Sequence, residues 1–199
     1  MTVTQSALFI GLGTGNVIEN LDPQTYKKDW VVYVTDSNGV AVANKDLTIK
    51  VLPVEYRKGH LVFNTVWTYD LATLQTCANE DTDYTGNLNS VPGKDFNGDG
   101  RLQPGNVVLI TTTQTTTAAA SGIARTDSTG RATITLLYAE SYSPWVKVRL
   151  TAQATVSGTE SSNAQEFYVD GLASDFTSAT NPPAGVVSPF GVNPCNVPN

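Results

Sequence analysis

The residues best suited to chemistry cluster between Asn79 and Asn106. The stretch holds Glu80, Asp81, Asp83, Asp95 and Asp99, and its two halves repeat at an offset of fourteen residues. Asp81 pairs with Asp95, Asp83 with Asn97, Thr85 with Asp99, Gly86 with Gly100 and Leu88 with Leu102. Oxygen donors at alternate positions, followed by glycine, are what a hard cation needs. Ca²⁺ takes six to eight oxygens at about 2.3 to 2.6 Å, and a D-x-N-x-D-G loop offers side-chain oxygens at positions 1, 3 and 5, a tight glycine at 6 and a backbone carbonyl at 7. In the second half Asp95, Asn97, Asp99, Gly100 and Arg101 fill those places, and Gln103 follows at position 9. Position 12 is Asn106, where a helical EF-hand has a bidentate glutamate. A carboxylate from elsewhere is then needed, and Glu80 is the candidate. The first half offers Asp81, Asp83, Thr85 and Asn87, a weaker set because Thr85 stands where a carboxylate would and Pro92 falls at position 12. The expectation is one or two Ca²⁺ ions in a structural role, holding an insertion whose carboxylates would otherwise repel one another. The competing reading is two Asx-rich turns without metal.

Other chemistry finds little support. The single histidine, His60, lies in Arg57-Lys58-Gly59-His60-Leu61 with no G-x-S-x-G beside it, so it reads as a surface or satisfied side chain. Gly11, Gly13 and Gly15 suggest a nucleotide-binding fingerprint only loosely, since no βαβ pattern follows. The threonines from Thr111 to Thr117 read as a polar edge strand. Cys77 and Cys195 are too far apart in sequence for a CxxC site. They form either one long-range disulfide, which places the chain in an oxidising compartment, or two buried free thiols. The chain reads as non-enzymatic.

The elements that must position these loops are strands. Of the 199 residues 40% are hydrophobic and only 15% charged, against about 25% charged in an average soluble domain. A net charge of -6 argues against nucleic acid or an anionic membrane surface as the main partner, since both call for basic patches. Runs rich in Val, Ile, Thr and aromatics at residues 7–12, 30–35, 47–52, 61–69, 106–113, 132–138, 145–154 and 166–169 predict about eight strands. Asp36-Ser37-Asn38-Gly39 and Asp127-Ser128-Thr129-Gly130 supply turns between them. In the run from Trp145, alternation sets Val146, Val148 and Leu150 on one face and Trp145, Lys147 and Arg149 on the solvated one. One all-β sandwich over residues 1–172 is expected, carrying the 76–106 insertion and a Pro-rich tail, 173–199, laid along the surface. The opening MTVTQSALFIGLGTGN reads as neither a signal peptide nor a membrane span, which leaves a cytoplasmic module or one cut from a longer secreted chain.

Taken together, several segments resemble the bacterial immunoglobulin-like domain of group 1, the invasin and intimin type. They are V-T-D-S-N-G-V-A-V-A-N-K-D-L-T-I-K-V-L-P within Trp30 to Pro53, Tyr56-Arg57-Lys58-Gly59, T-D-S-T-G-R-A-T-I-T-L-L-Y from Thr126 to Tyr138, and V-S-G-T-E from Val156. Cys77-Ala-Asn-Glu-Asp with D-F-N-G-D-G-R-L-Q-P-G-N is similar to a calcium-loop insertion in a subset of such proteins. The resemblance covers most of residues 8–170. It implies an immunoglobulin-like β-sandwich in a bacterial cell-surface or secreted protein, where such domains serve as structural or adhesive modules beside sister modules or other surface proteins. The sequence departs from antibody domains in lacking their inter-sheet cysteine framework.

Two other functions are compatible with the same residues. One is a calcium-dependent carbohydrate-binding module in which exposed Trp67, Tyr69 or Tyr84 stacks on a glycan. The other is a self-associating filament subunit, with the Ala7 to Leu12 strand or the tail adding to a neighbour's sheet.

Overall fold

The computed structural model describes residues 7–156 and 159–198. The described chain is an all-β sandwich. One sheet runs in the order β1 (Phe9–Thr14), β3 (Thr25–Thr35), β10 (Arg131–Ala139), β8 (Val108–Thr112), with β2 (Glu19–Asp22) also on β3. The other runs β12 (Thr159–Tyr168), β11 (Val146–Val156), β4 (Asp46–Lys58), β7 (Gln75–Ala78), with β9 (Ser121–Arg125) beside the first half of β4. All these pairings are antiparallel.

Alternation along the strands makes the core. Trp30, Val32 and Val34 of β3, Ile134 and Leu136 of β10 and Ile110 of β8 point inward from one sheet. Leu47, Ile49 and Val51 of β4 and Val148, Leu150 and Ala152 of β11 meet them from the other. Each large aliphatic side chain removed from water here contributes roughly 1.5 to 3 kcal/mol. At one edge the Trp30 ring stacks on Phe167 of β12 with centroids 4.7 Å apart.

Three expectations need correction. Residues 61–69 are not one strand but a hairpin, β5 (Leu61–Asn64) and β6 (Val66–Tyr69), reversed at Thr65 with φ 71°. Valine and aromatic content cannot reveal such a break, because it depends on one backbone turn. Thr111 to Thr117 is not a continuous strand, since β8 ends at Thr112. Trp145 is not on a solvated face. It precedes β11, is 0% exposed, and donates its indole N–H to the Gly185 carbonyl at 2.8 Å.

That last contact belongs to the C-terminal tail, which packs against the end of the sandwich. Leu61 N–H donates to Val186 O, Ser188 N–H to Gly59 O, and Gly59 N–H to Gly191 O. Phe190 is buried against Tyr56 and Tyr142. Cys195 forms a disulfide with Cys77 of β7, closing a loop with a separation of 118 residues. Among the described residues no helix is long and apolar enough to cross a membrane.

Candidate cation site

The insertion starts where β4 bulges. Opposite Lys147 and Val148 the β4 register slips between Glu55 and Pro53, which frees two β4 carbonyls from the ladder. Val54 O accepts the Asn79 backbone N–H at 3.1 Å, and Pro53 O accepts Asn79 Nδ2 at 3.0 Å. Asn79 is buried, and its Oδ1 accepts the Asp81 N–H, so this side chain clips the start of the first loop to β4. From there the chain advances by turns in which a side-chain oxygen accepts the N–H two residues on. Asp83 serves Thr85, Asn87 serves Asn89, Asn97 serves Asp99, and Asp99 serves Arg101. Such local bonding lets Asx-rich segments hold shape without strand or helix.

The second loop curls around Asp95. Its Oδ1 accepts from Gly98 N–H at 2.8 Å and Asp99 N–H at 3.2 Å, and its Oδ2 from Gly100 N–H at 2.9 Å. Gly98 and Gly100 both take positive φ, which the alternate donor spacing requires. Asn97 is buried, while Arg101 and Asn106 are exposed. Gln103 Nε2 donates to Asp99 Oδ2 at 2.7 Å.

Glu80 joins this second loop, not the first. Its N–H donates to Gln103 O at 2.9 Å, and its Oε2 accepts the Gln103 N–H at 2.8 Å. Glu80 is 0% exposed, and its Oε1 has no well-formed hydrogen bond; nor does the buried Oε1 of Gln103. Burial pushes the Glu80 carboxyl up, opposed by the Gln103 and Phe96 backbone N–H groups and reinforced by the charges of Asp95 and Asp99; the buried Lys58 ammonium also acts on Glu80 and Asp99. Three neighbouring carboxylates, one of them wholly buried, carry more negative charge than the single Lys58 ammonium offsets, which is costly unless a further cation joins them. These residues therefore fit a hard cation: Asp95, Asn97, Asp99 and Glu80 offer side-chain oxygens and Arg101 a carbonyl. Among the described residues, His, Cys, Asp and Glu side chains form no group of three or more arranged as a metal centre. The Asp95 oxygens face backbone N–H groups, and the Asp99 oxygens face the Arg101 N–H and the amides of Gln103 and Asn97.

The first loop is filled differently. Lys94, fully buried at its side chain, directs Nζ into the ring of first-loop oxygens. It meets Asp81 Oδ1 at 2.5 Å, Ser90 Oγ at 2.8 Å, Asn87 O at 2.9 Å, Thr85 Oγ1 at 3.0 Å, and Asp83 Oδ1. Burial pulls the Lys94 ammonium down, but its bonds to Asp81 and Asp83 outweigh this and leave it raised. Lys94 was not among the residues singled out in sequence. Its only signal there is position, since it stands fourteen residues after Glu80 and so is that residue's counterpart in the repeat.

Lys58, 0% exposed, points Nζ at the carbonyls of Pro194 and Val197, each at 3.4 Å, on either side of Cys195. His60 Nε2 lies 3.1 Å from Asp70 Oδ2, and its Nδ1 lies 3.2 Å from Thr73 Oγ1. That Thr73 hydroxyl also lies 3.2 Å from Asp70 Oδ2 and 3.3 Å from Asp70 O, within the turn that joins them. Trp67 is half-buried, packs against Phe63 and donates Nε1–H to Ser178 O at 2.8 Å. Tyr69 meets Trp145 edge-on and donates its hydroxyl to Pro144 O. Tyr84, in the first loop, is 44% exposed. A groove of about 490 Å³ runs past Leu61, Val66, Trp67, Pro144 and Phe176.

No protein-family model, curated protein or solved structure matches this chain.

Proposed function

We propose that this chain is a non-enzymatic, calcium-stabilised structural or adhesive module of the immunoglobulin-like type, from a bacterial cell-surface or secreted protein. The observation that carries the calcium reading is the wholly buried Glu80 carboxylate, its Oε1 without a well-formed hydrogen bond, beside Asp95 and Asp99 of the second loop. Strand order supports the fold type. With β1, β3, β4, β8, β10, β11 and β12 taken as A to G, the sheets read A-B-E-D and G-F-C, the immunoglobulin arrangement. The disulfide favours an oxidising compartment and hence an extracellular setting.

In this role the ion does no chemistry. It neutralises Asp95, Asp99 and Glu80, and so fixes the insertion against β4 and the disulfide-held tail. The glycan alternative has less support: Trp67 and Tyr69 line the groove but are partly buried with their polar atoms bonded within the fold, and Tyr84 is exposed in the first loop. Strand donation by the N-terminal segment also has less support, since β1 is fully registered on β3 of its own chain. Partners are then neighbouring modules or other surface proteins.

Thermal unfolding of the non-reduced chain in Ca²⁺ and in chelator tests the reading. Extracellular calcium modules bind with Kd of roughly 10⁻⁴ to 10⁻³ M. About 10 mM Ca²⁺ should therefore add roughly 1.5 to 3 kcal/mol, which for a chain this size raises Tm by about 3 to 10 °C. Identical melts would rule the calcium role out.

A further inference from the structure

The two loops are copies of one pattern, yet the structure fills them in opposite ways. The residue immediately before the first donor of each loop reaches across to the other loop. Glu80, preceding Asp81, sits in the second loop, where its Oε2 accepts from Gln103 N–H and its Oε1 has no well-formed hydrogen bond. Lys94, preceding Asp95, sits in the first loop with its side chain wholly buried.

The atoms around Lys94 Nζ match the calcium-loop order. Asp81, Asp83 and Thr85 stand at positions 1, 3 and 5 and contribute side-chain oxygens, and Asn87 at position 7 contributes its backbone carbonyl. Ser90 Oγ adds a fifth oxygen. An ammonium has three N–H groups and cannot bond five oxygens at once. The ring is therefore one that suits a spherical cation, with a tethered ammonium at its centre. Charge follows the same division. Two carboxylates, Asp81 and Asp83, surround one ammonium in the first loop, whereas Asp95, Asp99 and Glu80 bring three carboxylates to the second. Lys58, another buried ammonium, is directed at the Pro194 and Val197 carbonyls, and its charge also acts on Glu80 and Asp99 without entering either ring of oxygens.

We infer that Lys94 is a built-in cation that closes the first loop against metal, and that Glu80 is the carboxylate exchanged for it, which makes the second loop the single Ca²⁺ site. The inference rests on the calcium reading of the second loop, but its first-loop half is separable. A tethered ammonium is always present at its site, so the first loop stays formed at any calcium level, and only the second responds to the ion.

Native mass spectrometry of the full chain with CaCl₂ tests this on wild type, Lys94→Ala and Asp95→Ala. Wild type should take one ion, Asp95→Ala none, and Lys94→Ala two. The melt of Lys94→Ala should fall in chelator and recover in Ca²⁺ by more than wild type does. Two ions on wild type, or no additional ion on Lys94→Ala, would overturn the inference. If wild type takes no ion while Lys94→Ala takes one, the second-loop reading fails and the ammonium's role in the first loop stands. Should Lys94→Ala not fold, the wild-type ammonium itself gives the answer. A Lys94 Nζ resonance protected from solvent exchange and unmoved by CaCl₂ supports the inference, and its loss on adding CaCl₂ overturns it.

Discussion

Glu80 carries two opposed roles whose balance is measurable. Without a cation, its buried charge lies beside Asp95 and Asp99 with one oxygen unsatisfied. Glu80→Gln keeps an oxygen for the Gln103 N–H and removes the charge. In chelator this variant should be more stable than wild type by about 1 to 3 kcal/mol, the scale of an unsatisfied buried group. In Ca²⁺ the order should reverse, because one ligand carboxylate has been lost. Parallel melts of both proteins in the two buffers would show the crossing, and equal Ca²⁺ gains for both would remove Glu80 from the site. The donor spacing of the second loop and the need for an outside carboxylate could be read from the residues alone. Lys94 could not, because a lysine in a polar loop has no signature until the fold shows which ring it enters.

The elements that hold the site are β4 and the tail. A single strand, β4, changes partner along its length, pairing Asp46–Lys50 with β9 and Glu55–Lys58 with β7, and the bulge between them anchors Asn79. The apolar run at 47–52 predicted the first half of β4, but its continuation to Lys58, the bulge and the split partner are tertiary outcomes that local pattern does not encode. The same holds for Trp145, whose sequence neighbours alternate cleanly while the tail buries its ring. At Gly185 an added Cβ would lie 2.7 Å from Ser141 O and 3.0 Å from the Trp145 indole nitrogen. Gly185→Ala should therefore loosen the tail and destabilise by about 1 to 3 kcal/mol, with a red shift in tryptophan emission as Trp145 meets water. An unchanged spectrum and melt would show that the tail does not depend on this close approach. Removing the disulfide with Cys77→Ser and Cys195→Ser should be larger, about 4 to 5 kcal/mol by chain entropy for a loop spanning 118 residues. A denaturant midpoint close to wild type would mean that the bond constrains the unfolded chain little.

For the whole molecule, acidity and cation binding set the conditions under which the sandwich persists. Asp46 is held below the usual carboxylate range by Arg125, Asp127 by its turn bonds to Thr129 and Arg131, and Glu166 by Arg149. Their folded pKa values lie below the unfolded ones, so as pH falls the unfolded chain takes up protons first. The stabilisation is complete above about pH 4 to 4.5 and is lost as pH drops through the folded values. Glu80, whose carboxyl burial pushes up, acts in the opposite sense when no cation is bound, so the acid limb is read on Glu80→Gln in chelator: its melt should decline below about pH 4, and a Tm rising below that pH would contradict this. The all-β architecture followed from composition and alternation, whereas the closing of the sandwich by the tail emerged only from the assembled fold. The central claim concerns one ion in one loop, and anomalous diffraction from a crystal grown in CaCl₂ tests it most directly. A single calcium peak among Asp95, Asn97, Asp99 and Glu80, with Lys94 still filling the first loop, is the expected result. A peak at Asp81 and Asp83, or none in either loop, would contradict the account.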